Sequence, residues 1–523
     1  MESEAPNPTD SPLPYERWWV LACLVAALLF RLPGLDDPWS GIGFNSAIGT
    51  FTTAETVENL DVHGFAETYG MPYRYRIEME DGTRAYEWYA HHPVFFIWVS
   101  YLSTRVLGMT ELAIRMPWLV LSMLLPVAAW LASRRLFGRW VAMGTLVALV
   151  AMPLAAHYSL LPWVDNGILT ACLCLVVERF VHWLETEKRS ALAGACAWML
   201  AASLLDWTAA FVTPVLGILT LLKVRHVERR IAFLASALLL PAMLGVSLAL
   251  HALHMTLAFG WDQLMHDFTS TWSRTTTNQV AWGHFTWVQA KSWTVNLGWP
   301  VLAAMLVGVF ELVRRRRGGG LLPWRIAACV ALLVPGALYI YAFPFRGANH
   351  HFMWSASLGG FAALAGFGLA SLRRVPWAML LASVTVVAFG GWKTLELARN
   401  TKSDVVKLAS QHPKIAPWLD HPDGVIVTSM GAAWALMPYS RTPIVPRVEE
   451  VAELEKFRTD VLSKLGPDRP VAFFFDVRLH KVQPELLSYL VSTGAPSIEV
   501  LDGLKASPSV AFRIFDLTNW AAE

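Results

Sequence analysis

The chain has 523 residues, of which 55% are hydrophobic and 16% are charged, and its mean hydropathy is +0.42. A soluble protein of this length carries more charge and fewer long apolar runs, so the composition excludes an ordinary soluble enzyme. The formal net charge of +2 gives no reason to expect nucleic acid as a partner. These features indicate a protein that crosses a membrane several times.

Apolar stretches that approach the length of a membrane span follow one another along the chain. They centre near residues 24, 123, 148, 175, 198, 215, 240, 305, 332, 361 and 384. The first one lacks a signal-peptide cleavage site, so we expect it to be retained. This pattern predicts an all-α polytopic membrane domain of about 11 transmembrane helices over residues 18–392, after a cytoplasmic tail of residues 1–17.

Basic residues cluster in alternate gaps between these stretches. The clusters are Arg134, Arg135 and Arg139; Lys188 and Arg189; Lys223, Arg225, Arg229 and Arg230; Arg314–Arg317; and Arg373 and Arg374. The positive-inside rule places such gaps in the cytoplasm. Both the large loop of residues 33–111 and the C-terminus are then predicted to lie outside.

Residues 93–108 are apolar enough to be read as a further span, but that span would move Arg134 and Arg135 outside. We therefore expect an amphipathic helix on the outer surface there, and a second one over residues 45–60.

After about residue 393, stretches typical of strands alternate with helices predicted over residues 449–465 and 483–493. This alternation predicts a small extracytoplasmic α/β domain over residues 393–523.

Four carboxylates lie beside spans on the predicted outer face, where one of them could act as general base toward an acceptor. They are Asp36, Asp37, Asp165 and Asp206. Asp36 and Asp37 also fit an ordinary turn before a proline, and Asp165 fits a helix cap. Asp206 lies between two apolar stretches, where a carboxylate is costly and is usually functional or paired.

Cationic and imidazole side chains on the same face could bind a phosphate group. Arg346, His350 and His351 share a short outer loop, in which an arginine runs against the positive-inside trend. A guanidinium group binds phosphate oxygens in a bidentate manner, so this loop predicts a phosphate site. His91 and His92 open the first surface helix, and a structural role is equally open for them. The sequence implies no metal cluster.

The order of these motifs resembles the GT-C superfamily of polyprenyl-phosphate-sugar glycosyltransferases, in the branch of protein O-mannosyltransferases and the lipid A aminoarabinose transferase. The resemblance covers residues 18–375. The stretches that carry it are Tyr89-x-His91-His92-Pro93, Val106-Leu-Gly-x-Thr-Glu-x-Ala-x-Arg115-x-Pro, Arg134-Arg-Leu-Phe-Gly138, Asp206-Trp-Thr-Ala-Ala-Phe-Val-Thr-Pro and His350-His-Phe.

This resemblance implies a GT-C fold and inverting transfer of a sugar from a polyprenyl-phosphate-linked donor. The extracytoplasmic acceptor would be a lipid, a protein or a polysaccharide. Arg115, Arg346 and the neighbouring histidines would stabilise the charge on the leaving phosphate, and a base would activate the acceptor. No cofactor is required by this chemistry, and the need for a divalent metal ion stays open. The protein is expected in the inner (plasma) membrane, with its active site on the periplasmic side.

The chain departs from the family in the first outer loop, where the family usually has an acidic pair and this sequence has Phe44 and Asn45. Asp36 and Asp37 lie a few residues upstream, so the base is either in this pair or at Asp165 or Asp206. Two other functions remain open, a non-catalytic scaffold with the same fold and a transporter of lipid-linked sugars. A transporter would carry polar or broken helices at mid-membrane, whereas the polar groups here gather at one face.

Overall fold

A computed structural model divides the chain into two compact units. The described residues are 15–35, 46–81, 83–88, 93–156, 160, 162, 167–277, 280–318, 323–344, 348, 351–401, 410–429, 436, 439–445, 448, 450–465, 469–477, 483–500 and 512–522. The helical unit comprises Met1–Asp36, His91–Phe96 and Arg115–Arg399. The mixed unit comprises Asp37–Ala90, Ile97–Ile114 and Asn400–Glu523.

Helices make up most of the described chain. In chain order they are α1 (Glu16–Arg31), α2 (Ser46–His63), α3 (Phe95–Leu107), α4 (Glu111–Ser122), α5 (Leu124–Phe137), α6 (Arg139–Ala151), α7 (Pro153–Ala156), α8 (Gly167–Thr186), α9 (Arg189–Leu205), α10 (Thr213–Val224), α11 (Arg230–Ala237), α12 (Leu239–Phe259), α13 (Trp261–Thr277), α14 (Trp282–Asn296), α15 (Trp299–Arg317), α16 (Pro323–Ala342), α17 (Leu358–Ser371), α18 (Pro376–Thr401), α19 (Ala416–Leu419), α20 (Val451–Asp460), α21 (Pro484–Ser492) and α22 (Thr518–Ala522). Short 3-10 turns occur at Leu32–Gly34, Trp207–Val212, His351–Ser357, Leu372–Arg374 and Leu462–Lys464.

The polytopic helical domain predicted from the sequence is confirmed. Within the described residues, 7 helical segments are long and apolar enough to cross a membrane, and α14 with α15, bent by 103°, would make an eighth. The predicted count of 11 is not confirmed. The other three predicted spans coincide with α1, α6 and α9, which have 16, 13 and 17 residues. At 1.5 Å per residue these rise only about 20 to 26 Å, short of a hydrocarbon core of about 30 Å.

Ion pairs join several helices of the helical unit at one end. The pairs are Glu16–Arg134 at 3.2 Å, Arg135–Glu178 at 2.9 Å and Glu185–Arg325 at 3.1 Å. They connect the start of α1, the last turn of α5, the second half of α8 and the start of α16. Arginines from separate gaps in the sequence are therefore neighbours in space.

Glycines allow α6, α15 and α17 to pack at backbone contact. A Cβ atom added at Gly308 of α15 would lie 1.8 Å from the carbonyl oxygen of Leu364 in α17. One added at Gly366 of α17 would lie 2.5 Å from the carbonyl oxygen of Val141 in α6. Small residues at helix interfaces are typical of membrane proteins, where close van der Waals packing drives association.

We expect Gly308→Ala to destabilise the helical unit, because its new methyl group meets rigid backbone. Overpacking of this kind typically costs about 1–3 kcal/mol. Gly245 of α12 is the matched control, since a Cβ atom there would meet nothing within 4 Å. Gly245→Ala should be neutral or stabilising, and the thermal unfolding midpoints of the two purified variants measure the difference. Equal midpoints would contradict the close packing of α15 on α17.

The mixed unit contains seven described strands in two sheets. They are β1 (Tyr73–Glu78), β2 (Arg84–Trp88), β3 (Val425–Thr428), β4 (Ile444–Val445), β5 (Val471–Asp476), β6 (Ser497–Val500) and β7 (Phe512–Asp516). β1 and β2 form an antiparallel hairpin, and the other five have the order β4-β3-β5-β7-β6. β3 runs parallel to β4 and β5, whereas β7 is antiparallel to β5 and β6. The sheet and helices predicted after residue 393 are confirmed, and the hairpin and β4 were not predicted.

Residues from the loop after α1 share a hydrophobic core with the C-terminal sheet. Ile77 of β1 belongs to the same buried cluster as Val425 and Phe473. The backbone N–H of Glu80 donates to the carbonyl oxygen of Lys464 at 3.1 Å. The large loop and the C-terminal segment therefore form one folded unit.

Candidate active site

Most of the side chains predicted to do chemistry lie outside the described residues. These are Asp36, Asp37, His91, His92, Asp165, Arg346 and His350, together with Phe44 and Asn45. His351 begins the turn His351–Ser357, where its backbone alone is described. The structure does describe Arg115 and Asp206, and it describes the elements that hold the segments next to the others.

Arg31 fixes the end of α1, five residues before Asp36. Its side chain is only 2% exposed. Its Nη1 donates to the carbonyl oxygen of Ala27 at 2.7 Å, and its Nη2 donates to that of Ala155 at 2.9 Å. Its Nε donates to Ser122 Oγ at 3.2 Å. A buried charge is costly unless it is hydrogen-bonded, so these contacts define one position for the exit of α1.

Arg115, a predicted phosphate ligand, lies on α4 beside the same exit. Its side chain is buried, and its Nη1 donates to the carbonyl oxygen of Leu35 at 3.5 Å. Arg115 and Ser122 are seven residues apart and so share one face of α4. This face of α4 therefore contacts residues 31–35 through both arginines, and the chain continues directly from there to Asp36 and Asp37.

Asp206, a predicted base, lies between α9 and the turn Trp207–Val212. Its carboxylate accepts from the backbone N–H of Thr208 at 2.5 Å and so caps that turn. The residue is 2% exposed. The contact gives a structural reason for an acidic residue at this depth, and it uses part of the capacity of the carboxylate to accept hydrogen bonds.

Helix α12 packs against this cap. Ser247 Oγ donates to the carbonyl oxygen of Ser203 at 2.9 Å. One turn later the ring of His251 meets the ring of Trp207 edge to face, with centroids 5.4 Å apart. The residue that follows Asp206 therefore contacts an imidazole of α12, a helix whose sequence is apolar before His251 except for Ser247.

The turn His351–Ser357 is held by three separate helices. Trp354 Nε1 donates to Gln289 Oε1 of α14 at 2.8 Å. Thr170 Oγ1 of α8 donates to the carbonyl oxygen of Ser355 at 2.6 Å. Ser357 Oγ donates to the carbonyl oxygen of Leu333 at 2.5 Å. These bonds fix the segment that directly follows the predicted phosphate loop.

The mixed unit has acidic residues of its own on α2, which the sequence reasoning did not single out. Glu55 is buried, with 4% of its surface exposed. Burial raises the pKa of Glu58, and the carboxylate of Asp61 adds to the rise, whereas the guanidinium of Arg441 opposes it. Spacings of three residues along a predicted helix were the available signal, because they place these acids on one face.

No group of three or more His, Cys, Asp or Glu side chains among the described residues is arranged to hold a metal ion.

Comparisons with known proteins agree on one architecture. A family model described as dolichyl-phosphate-mannose-protein mannosyltransferase matches residues 91–248. The crystal structure of ArnT from Cupriavidus metallidurans bound to undecaprenyl phosphate aligns with a TM-score of 0.62 at 14% identity, covering 98% of this chain and 100% of that chain. The chain has the GT-C fold. The resemblance drawn from its motifs is thereby confirmed.

Two further structures with this GT-C fold match. ArnT from Cupriavidus metallidurans in the apo state aligns with a TM-score of 0.60 at 15% identity, covering 97% of this chain and 99% of that chain. The oligosaccharyltransferase of Archaeoglobus fulgidus in the apo form aligns with a TM-score of 0.52 at 11% identity, covering 89% of this chain and 70% of that chain. No curated protein sequence matches the chain. The stretch matched by the family model contains both Arg115 and Asp206.

Proposed function

We propose that this chain is an integral membrane glycosyltransferase that moves a sugar from a polyprenyl-phosphate donor to an extracytoplasmic acceptor. The observation that carries the proposal is the GT-C fold along almost the whole chain, shared with a structure that holds undecaprenyl phosphate. The match of residues 91–248 to a mannosyltransferase family supports it independently. The acceptor is a lipid, a protein or a polysaccharide.

In this proposal an acceptor hydroxyl or amine attacks the anomeric carbon of the donor sugar while the bond from that carbon to the phosphate oxygen breaks. A carboxylate, first of all Asp36 or Asp37, takes the proton of the acceptor. Arg115 and Arg346, with His91, His92, His350 and His351, stabilise the charge that develops on the departing polyprenyl phosphate. Attack opposite the leaving group inverts the anomeric centre.

The mixed unit supports the proposed sidedness. Ile114 shares a buried cluster with Ile426 and Phe474, so residues before and after the main helical stretch fold together. One folded unit lies on one side of a membrane, and the chain must therefore cross an even number of times between Ile114 and Asn400. Ten crossings satisfy this condition, made by the seven long segments, the bent pair, α6 and α9. Without α6 and α9, the paired Glu185 and Arg325 would lie on opposite sides of the membrane. We place the mixed unit outside, because the ion-paired arginine ends belong in the cytoplasm.

Reporter fusions test this topology. A fusion after Arg317 should give a cytoplasmic signal, and a fusion after Glu523 should give a periplasmic signal, because an odd number of crossings separates the two positions. A cytoplasmic signal from the C-terminal fusion would overturn the proposed orientation.

Release of polyprenyl phosphate tests the activity itself. The purified protein should release it from a polyprenyl-phosphate sugar when an acceptor is present. Mass spectrometry of envelope glycolipids and glycoproteins from a deletion strain should show which modification is lost. If no lipid-linked sugar were turned over and no modification were lost, a non-catalytic scaffold would be the better reading.

Arg346→Ala is expected to weaken donor binding. Loss of one charge-assisted contact to phosphate costs about 1.5–3 kcal/mol. The KM for the donor should therefore rise, and the thermal unfolding midpoint should stay unchanged. Arg105→Ala is the control, because the exposed Arg105 of α3 pairs with Asp61 and belongs to no predicted phosphate site. Undiminished transfer by Arg346→Ala would remove the phosphate site from the proposal.

A further inference from the structure

Four arginines lie where α15 ends and α17 meets α18, and two of them bond to one carboxylate. Glu311 of α15 accepts from Arg314 at 2.7 and 2.8 Å and from Arg315 at 2.8 Å. Arg373 lies within electrostatic range of Glu311, Arg314, Arg315 and Arg374. We call the four arginines the basic cluster. One carboxylate leaves three of their positive charges unbalanced.

Two members of the basic cluster have no carboxylate partner in the described part of the chain. Glu311 forms ion pairs with Arg314 and Arg315, and none is formed by Arg373 or Arg374. Both of these side chains belong to exposed residues. Arg315 is held in place, since its guanidinium carbon lies 5.2 Å from the ring centroid of Phe367 on α17. The cluster therefore presents positive charge that the described residues do not fully neutralise.

Exposed apolar stripes begin at the basic cluster and run along both neighbouring helices. On α15, Phe310 and Leu306 lie one and two turns before Arg314 and are 71% and 75% exposed. On α18, Trp377 follows Arg374 by three residues and is 70% exposed, and Leu381 continues its face. Tryptophan beside basic residues at the end of a span is typical of the interface between headgroups and acyl chains.

Helices α15 and α18 are neighbours at their other ends as well. A Cβ atom added at Gly298, just before α15, would lie 3.2 Å from the ring of Phe389 in α18. A side chain of α18 therefore reaches the start of α15, at the end away from the basic cluster. A ligand with an anionic head and two apolar chains matches this arrangement, because charge lies at one end and apolar surface extends from it.

We propose that the basic cluster binds the phosphate headgroup of an anionic phospholipid, with the acyl chains against the exposed faces of α15 and α18. Basic sites between membrane helices bind anionic headgroups, and each arginine near the surface contributes to the attraction. The site differs from the proposed donor site, since it uses none of the residues assigned to glycosyl transfer. The proposed lipid site can therefore be tested independently of the proposed glycosyl transfer.

Lipid titration of the purified full-length protein in neutral detergent tests the proposal by native mass spectrometry. The wild type should bind phosphatidylglycerol more tightly than phosphatidylcholine. Arg373→Gln with Arg374→Gln should weaken phosphatidylglycerol binding roughly 30-fold, from about 1 kcal/mol per arginine. Arg373→Lys with Arg374→Lys should retain most of the binding. Trp377→Ala should weaken binding without a change in charge.

Arg229→Gln with Arg230→Gln is the matched control, because it also removes two exposed adjacent arginines from a basic gap. This variant should bind phosphatidylglycerol as the wild type does. An equal loss in the control would show diffuse charge attraction and overturn a discrete site, as would equal wild-type affinity for phosphatidylcholine. Displacement of the lipid by millimolar inorganic phosphate would identify a free-phosphate site and overturn the lipid assignment.

Discussion

Asp36→Asn or Asp37→Asn is expected to leave the protein folded and to lower the transfer rate by about 10²- to 10⁴-fold, the usual range for general base catalysis. The physical reason is the loss of the group that accepts the proton of the acceptor. Arg115 contacts the carbonyl oxygen of Leu35, in the segment that leads into this pair. Turnover of a lipid-linked sugar under saturating donor measures the effect, and the unfolding midpoint checks the fold.

The same substitution at Asp206 separates chemistry from structure. Asparagine caps a helical turn as well as aspartate does, so Asp206→Asn should preserve the bond from the Thr208 N–H. A large loss of rate in this variant would then point to Asp206 as the base, and Asp165→Asn completes the comparison. Normal activity in all four Asn variants would contradict a carboxylate base of this kind.

The sequence predicted the helical domain and its charge pattern because both depend on local composition. The charge pattern predicts that Arg134, Arg135 and Arg325 lie at the same end of the helices. It does not predict the carboxylate with which each of them pairs in the structure. Span length was harder to predict. Helix α6 is bounded by Gly138 and Met152, and α9 ends at Asp206. The apolar stretches continue past these breaks, so hydropathy overestimates the length of the two helices.

The hairpin β1–β2 was missed although it has a recognisable signal. Residues Tyr73–Glu78 alternate aromatic with charged side chains, as expected for a strand with one buried face. Its single aliphatic residue, Ile77, enters a core otherwise built mostly from residues after 424. The buried face of this hairpin packs against residues that are hundreds of positions away in the sequence. The residues near the hairpin therefore do not reveal that it is part of a core.

The supports of the candidate site were also beyond local reasoning. Arg31 bonds to Ser122 and Ala155, which are 91 and 124 residues away, and Trp354 bonds to Gln289 at a separation of 65. Sequence reasoning identified residue types that bind phosphate or take up protons. It did not identify the side chains that fix the neighbouring backbone, because these contacts depend on which helices become neighbours.

Arg31→Leu is expected to destabilise the helical unit by about 1–3 kcal/mol for each buried acceptor that loses its donor, because the carbonyl oxygens of Ala27 and Ala155 are left without this partner. Arg31→Lys should recover only part of the loss, since an ammonium group cannot match the planar fork that reaches three acceptors. The exposed Arg105 is the control, and Arg105→Leu should change stability by less than about 1 kcal/mol. Thermal unfolding in detergent measures all three variants. Equal midpoints for Arg31→Leu and Arg105→Leu would mean that the exit of α1 does not depend on this buried arginine.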